Sequence, residues 1–114
     1  MKKVATALAL SLAVSTPANA EMSVDMFLQR FTAMRAGKDP QASKILRNEM
    51  DRAARTFQER VRSGAIRDVC VQSGNTLEPE QLVNYFRSLP PPQRAMTNVT
   101  AGFYGAMKKR FPCW

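Results

Sequence analysis

Two cysteines, Cys70 and Cys113, bracket the last part of this chain, and two helix-like segments split by Pro90-Pro91-Pro92 lie between them. This arrangement constrains the fold more than any other feature. Joined, the two sulfurs would clasp a helical hairpin and pin the C-terminal end to the middle of the chain. The sequence holds no other cysteine and no histidine. Without histidine or a C-x-x-C pair, metal ligation and redox exchange are the poorer readings, and an intramolecular disulfide in an oxidising compartment is the default.

The start of the chain indicates that compartment. Lys2 and Lys3 precede an almost wholly apolar run over residues 4–14, and Ala18-Asn19-Ala20 has the small-x-small form of a cleavage site. This is the pattern of a secretory signal peptide, with a core too short to span a membrane. The expectation is a signal peptide over residues 1–20, cleavage at Ala18, Ala20 and Glu21, and a periplasmic domain over residues 21–114. A domain this small buries only roughly 60–65% of its unfolded surface, so a covalent staple helps it.

Hydrophobic spacing makes the domain all-α, a compact bundle of about four helices stapled by one disulfide. Helix one is expected over residues 24–36, with Ser23 as N-cap, Asp25 in the first turn and Gly37 at the stop. Val24, Phe27, Leu28, Phe31 and Met34 face inward, and Gln29 and Arg30 face solvent. Asp39 and Pro40 open helix two, which runs to about residue 63 before Gly64. Its apolar stripe is Leu46, Met50, Ala53, Phe57 and Val61, widened by Ile45 and Ala54. The other face carries Arg47, Asp51, Arg55, Gln58, Glu59 and Arg62, with Asp51–Arg55 and Arg55–Glu59 at pairing distance along a helix. After a loop at Gln72-Ser73-Gly74-Asn75, Thr76 can cap helix three, whose inward residues are Leu82, Val83, Phe86 and Leu89. The triple proline is a rigid elbow. Helix four follows over residues 93–110, with Met96, Val99, Phe103 and Met107 inward. Gly102 and Gly105 are placed where another helix can approach closely.

Nothing in the chain assembles catalytic chemistry. There is no Gly-rich phosphate loop, no Ser/His/Asp arrangement and no metal-ligand cluster. Glu78 and Glu80 form a close acidic pair, and their place in a helix's first turn accounts for them. The reading is therefore a binding protein, not an enzyme, with no cofactor. Removing Lys2 and Lys3 takes the net charge from +8 to +6. A basic exported protein suits an acidic protein partner better than nucleic acid, which the compartment disfavours, and membrane-surface contact is not expected. A homodimer stays open. The candidate contact residues are Arg47, Arg55 and Arg62 on helix two, and Gln72, Ser73 and Asn75 in the loop.

From Cys70 onward the residues also carry a resemblance. Cys70 is followed by a short loop with Gly74, Thr76-Leu77, Gln81-Leu82-Val83 at a helix start, then Tyr85-Phe86. Pro92 with Arg94 makes the elbow, and Phe111-Pro112-Cys113 closes the pattern. This half of the chain resembles the Rap/Tai family of periplasmic immunity proteins. The resemblance implies a small, exported, all-helical protein that blocks a cell-wall amidase effector delivered by type VI secretion. The early helices depart from the pattern: they lack the further cysteine pair of many relatives, and Phe57 with Arg60 stands where a Tyr/Gly motif would fall. An accessory role in a secretion or conjugation apparatus is the second reading, and a small periplasmic chaperone the third.

Overall fold

The computed structural model describes residues 21–113. The expected signal peptide with Ala18 and Ala20, and the terminal Trp114, lie outside the described residues; Glu21 is the first of them and is exposed. Those residues form five helices and no strand: α1 (Val24–Arg35), α2 (Ala42–Arg62), α3 (Pro79–Ser88), α4 (Pro91–Met96) and α5 (Val99–Arg110). The fold is all-α, as expected. α1 touches each of the other four helices, and α5 packs along α2 and α3.

Local chemistry explains most boundaries. The Ser23 hydroxyl accepts from Met26 N–H at 3.1 Å, satisfying one of the free donors at the start of α1. Gly37 and Gly64 end α1 and α2 with φ of 71° and 85°, a region a side chain would disfavour. Asp39 acts one step earlier than a helix cap: its carboxylate accepts from Gln41 N–H at 3.0 Å, and a turn through Pro40 leads into Ala42. The cap of α3 is Glu78, not Thr76. Gln81 Oε1 accepts from Glu78 N–H at 2.8 Å, while the Thr76 hydroxyl donates to Glu78 Oε2 at 3.2 Å.

The proline elbow works with Arg94. Its Nε donates to Leu89 O and its Nη2 to Arg87 O, both at 2.8 Å, so one guanidinium covers carbonyls that the end of α3 leaves free. The expected fourth helix is two. Asn98 Oδ1 accepts from Ala101 N–H at 2.8 Å and restarts the helix after an extended Thr97. Val24 N–H bonds Thr97 O and Val99 N–H bonds Met22 O, so the starts of α1 and α5 are sewn together. Met96, expected inside, is 86% exposed because it belongs to the short α4 and points away from the α5 stripe.

The core has two parts. The larger joins Val24, Phe27, Leu46, Ala53, Leu82, Val83, Phe86, Val99 and Ala106 from α1, α2, α3 and α5. Each fully buried large side chain there contributes roughly 1.5–3 kcal/mol. The smaller joins Phe57, Ile66, Val69 and Met107, with Leu77 and Phe103 packed against both. α2 departs from its expected stripe at two places. Glu49 lies inward, its side chain 11% exposed and ion-paired to Arg52. Val61 is 40% exposed, since 15 residues of helical rotation carry it about 60° from Leu46. Arg30, expected in solvent, is half-buried and pairs with Asp39 at 3.6 Å. The Asp51–Arg55 and Arg55–Glu59 pairs do not close among the described residues. Exposed pairs of long side chains gain too little to hold one geometry.

The two helix glycines mark close approaches. A Cβ on Gly102 would lie 2.7 Å from Phe86 Cε1 and 2.9 Å from Val24 Cγ2, both fully buried. A Cβ on Gly105 would meet Tyr85 OH at 2.5 Å, the far end of a partly exposed side chain. Gly102→Ala should therefore cost about 1–3 kcal/mol through overpacking. Gly105→Ala should be nearly neutral, because Tyr85 can swing away while the helix gains about 1 kcal/mol of propensity. Urea denaturation of the two variants checks the order; equal effects would contradict it.

Candidate functional site

The segment between α2 and α3 and the tail after α5 form one clasp. Cys70 and Cys113 are bonded, with their Cα atoms 4.9 Å apart. Around them Cys70 N–H donates to Phe111 O at 2.8 Å, Cys113 N–H to Asp68 O at 3.3 Å, and Val69 bridges Pro112. A side-chain contact extends the clasp onto α5. The Tyr104 hydroxyl lies 2.8 and 2.7 Å from the two oxygens of Asp68, and Lys108 Nζ is 3.2 Å from Asp68 Oδ2. Tyr104 and Lys108 are one helical turn apart, which puts both on the face that meets the connector.

These groups shift one another's protonation. The Tyr104 hydrogen bond, aided by Lys108, holds the Asp68 carboxyl below its usual 3.8. The same hydrogen bond raises Tyr104 above 10.0, and the Asp68 contact raises Lys108 above 10.5. Asp68 is depressed in the folded state, so its contribution to stability is present above pH 3.8 and is lost as pH falls through the folded value. Tyr104 and Lys108 are raised, so theirs is complete below 10.0 and 10.5 and is lost as pH rises through the folded values. The stability difference between the native protein and Tyr104→Phe, followed by urea denaturation across pH, should be largest between about pH 5 and 9 and shrink at both extremes. A difference that does not vary with pH would remove this contact from the clasp.

Against the clasp opens a groove of about 770 Å³. Buried Phe57, Val69 and Met107 line it together with Phe103 and Leu77, and Val61 and Val71 stand at its edge, 40% and 42% exposed. Ala54, Gln58, Arg62, Cys70, Asn75 and Thr76 complete the lining, and Arg62 is the one charged residue among them. The hollow leaves apolar surface, with two exposed valines, in water, and such surface gains free energy when it is covered.

The structure separates the six expected contact residues. Arg62 and Asn75 line this groove beside the disulfide. Gln72 and Ser73 are exposed in the adjoining turn, which Asn75 N–H closes onto Gln72 O at 3.0 Å, and they do not line the groove. Arg47 lies about 22 Å along α2 from Arg62, where it borders a smaller hollow of about 210 Å³ with Phe31, Met34 and Met50. Arg55 is exposed between the two and lines neither. The three arginines are all exposed and fall within about an 80° arc of α2, spread along its length, and only Arg62 reaches the groove. Sequence reasoning missed the exposed valines, because Val61 was read as core, and missed Asp68, Tyr104 and Lys108, which are far apart in sequence. Comparison with known protein families, curated proteins and solved structures finds no match for this chain.

Proposed function

We propose that this protein acts in the periplasm as a binding protein that disables a cell-wall amidase effector by covering its active site. The groove beside the disulfide carries this reading. A blocker needs a stiff surface with an apolar centre and a polar rim, and needs no chemistry of its own. The covalent link and the Asp68–Tyr104–Lys108 contact hold the groove's connector in place before a partner arrives, which reduces the ordering cost of binding. Arg62 on the rim suits an acidic face on that partner. The resemblance of residues 70–113 to the Rap/Tai immunity proteins supports an amidase as the target.

The test is co-expression in the periplasm with cell-wall amidase effectors of type VI secretion systems. Cells carrying an effector alone should lyse, and those also carrying this protein should not. Val61→Asp with Val71→Asp puts two carboxylates at the groove edge and should abolish protection without unfolding the protein. Equal lysis with and without the protein would end the proposal.

A further inference from the structure

The outward side of α3 carries a second surface, which adjoins the groove at Leu77. Asn84 lines two hollows, one shared with α1 and one with α5. In the first, Arg35 of α1 and Arg87 of α3 each hold their guanidinium carbon 5.7 Å from the centre of the Phe31 ring. Attraction to the ring face keeps both heads close to one spot. In the second, of about 430 Å³, Lys109 and Arg110 of α5 stand with Gln81, Tyr85 and Ser88. The Arg110 guanidinium carbon in turn lies 5.7 Å from the Phe111 ring centre.

Four cations thus flank one uncharged polar crest. Among the residues lining the two hollows Glu80 is the sole carboxylate, 3.7 Å from Arg35. Arg87, Lys109 and Arg110 have no ion-pair partner among the described residues. A basic residue in a helix's last turn complements the helix dipole. That accounts for each cation singly, but not for three helices ending theirs around the same crest. The α2 face differs, because Asp51 and Glu59 interleave with its arginines.

We infer that the α3 crest is a recognition surface for an acidic stretch of protein, with carboxylates taken up on both sides of Asn84. A guanidinium presents a planar fork that matches a carboxylate in two parallel hydrogen bonds. The amides of Gln81 and Asn84 and the Tyr85 hydroxyl can serve a peptide backbone between those carboxylates. A lipid surface fits less well. Adsorption there draws on buried apolar side chains as well as charge, and none of the exposed large apolar residues Met26, Val61, Val71 and Met96 lines either hollow. None of the cations or amides invoked here lines the groove of the amidase reading, so the inference stands or falls separately.

The experiment titrates the mature protein into a fluorescein-labelled glutamate-rich peptide at low salt and follows anisotropy. Replacing Arg35, Arg87, Lys109 and Arg110 by Gln together should weaken binding about tenfold or more, whereas the same number of neutralisations on α2 (Lys44, Arg47, Arg55 and Arg62 to Gln) should change it less than about threefold. Equal losses in both would mean that net charge alone attracts the peptide, and would overturn the inference. So would binding to phosphatidylglycerol vesicles or peptidoglycan fragments with none to the peptide. Asn84→Asp is a single exposed change that sets a like charge on the crest. It should weaken binding about threefold or more at an unchanged melting temperature, and it decides the matter if the fourfold variant does not fold; unchanged affinity would overturn the proposal.

Discussion

Replacing Cys70 and Cys113 together by serine should lower the unfolding free energy by about 4 kcal/mol. The bond spans 43 residues and closes α3, α4 and α5 into one loop. In the chain-entropy account, opening a loop of that length frees the unfolded chain by about this amount at 25 °C. The loss is large against a total near the lower end of the usual range of about 5–15 kcal/mol, where a domain this small belongs. The folded side has little to offset it. The smaller core beneath the clasp consists of Phe57, Ile66, Val69 and Met107; without the bond, two backbone hydrogen bonds to the connector, the packing of Phe111 on that core and the Asp68 contact hold the tail among the described residues. Hydrogen exchange at residues 66–71 and 111–113 should therefore quicken before the larger core loosens. Urea denaturation of the double variant and of the reduced native protein should agree. A loss below about 1 kcal/mol in both would show that the clasp stands without its covalent link.

Phe86→Ala should cost about 3–5 kcal/mol, a comparable loss from a different cause. Phe86 is fully buried and meets Phe27 edge-on at 5.3 Å between ring centres, an arrangement that adds about 0.5–1.5 kcal/mol beyond area. Its ring also fills the space that Gly102 leaves by having no Cβ. Truncation opens a cavity that α1, α3 and α5 border at once, and three helices cannot all close in without disturbing the paired starts of α1 and α5. Phe86→Leu keeps most of the volume and should cost under about 1.5 kcal/mol. The coupled test is the pair Phe86→Leu with Gly102→Ala, in which the smaller side chain makes room for the added methyl. Their joint cost should fall below the sum of the single costs, as expected for residues in contact. Strict additivity would show that the two do not touch.

What could be read without coordinates was local or covalent in origin. The helical class, the Ser23 cap and the stops at Gly37 and Gly64 each depend on residues within a turn or two of one another. The pairing of Cys70 with Cys113 needed no geometry, since no third cysteine competes. Gly102 and Gly105 announced a close approach by their size. Asn98 could have been read as well, being a good cap directly before Val99, but the helical spacing of Met96 with Val99 and Phe103 masked it.

The rest waited on the tertiary structure, for a physical reason in each case. Val61 reaches the groove edge because helical rotation drifts it off the buried arc, and whether anything covers it depends on the connector that packs opposite. Asp68 finds Tyr104 across 36 residues of sequence, and the crest gathers Arg35, Arg87 and Lys109 from three helices. Sequence determined which segments coil and where they are tied. Only packing decided which side chains from different helices share a surface, because that depends on the relative rotation and placement of whole helices, which no single helix encodes.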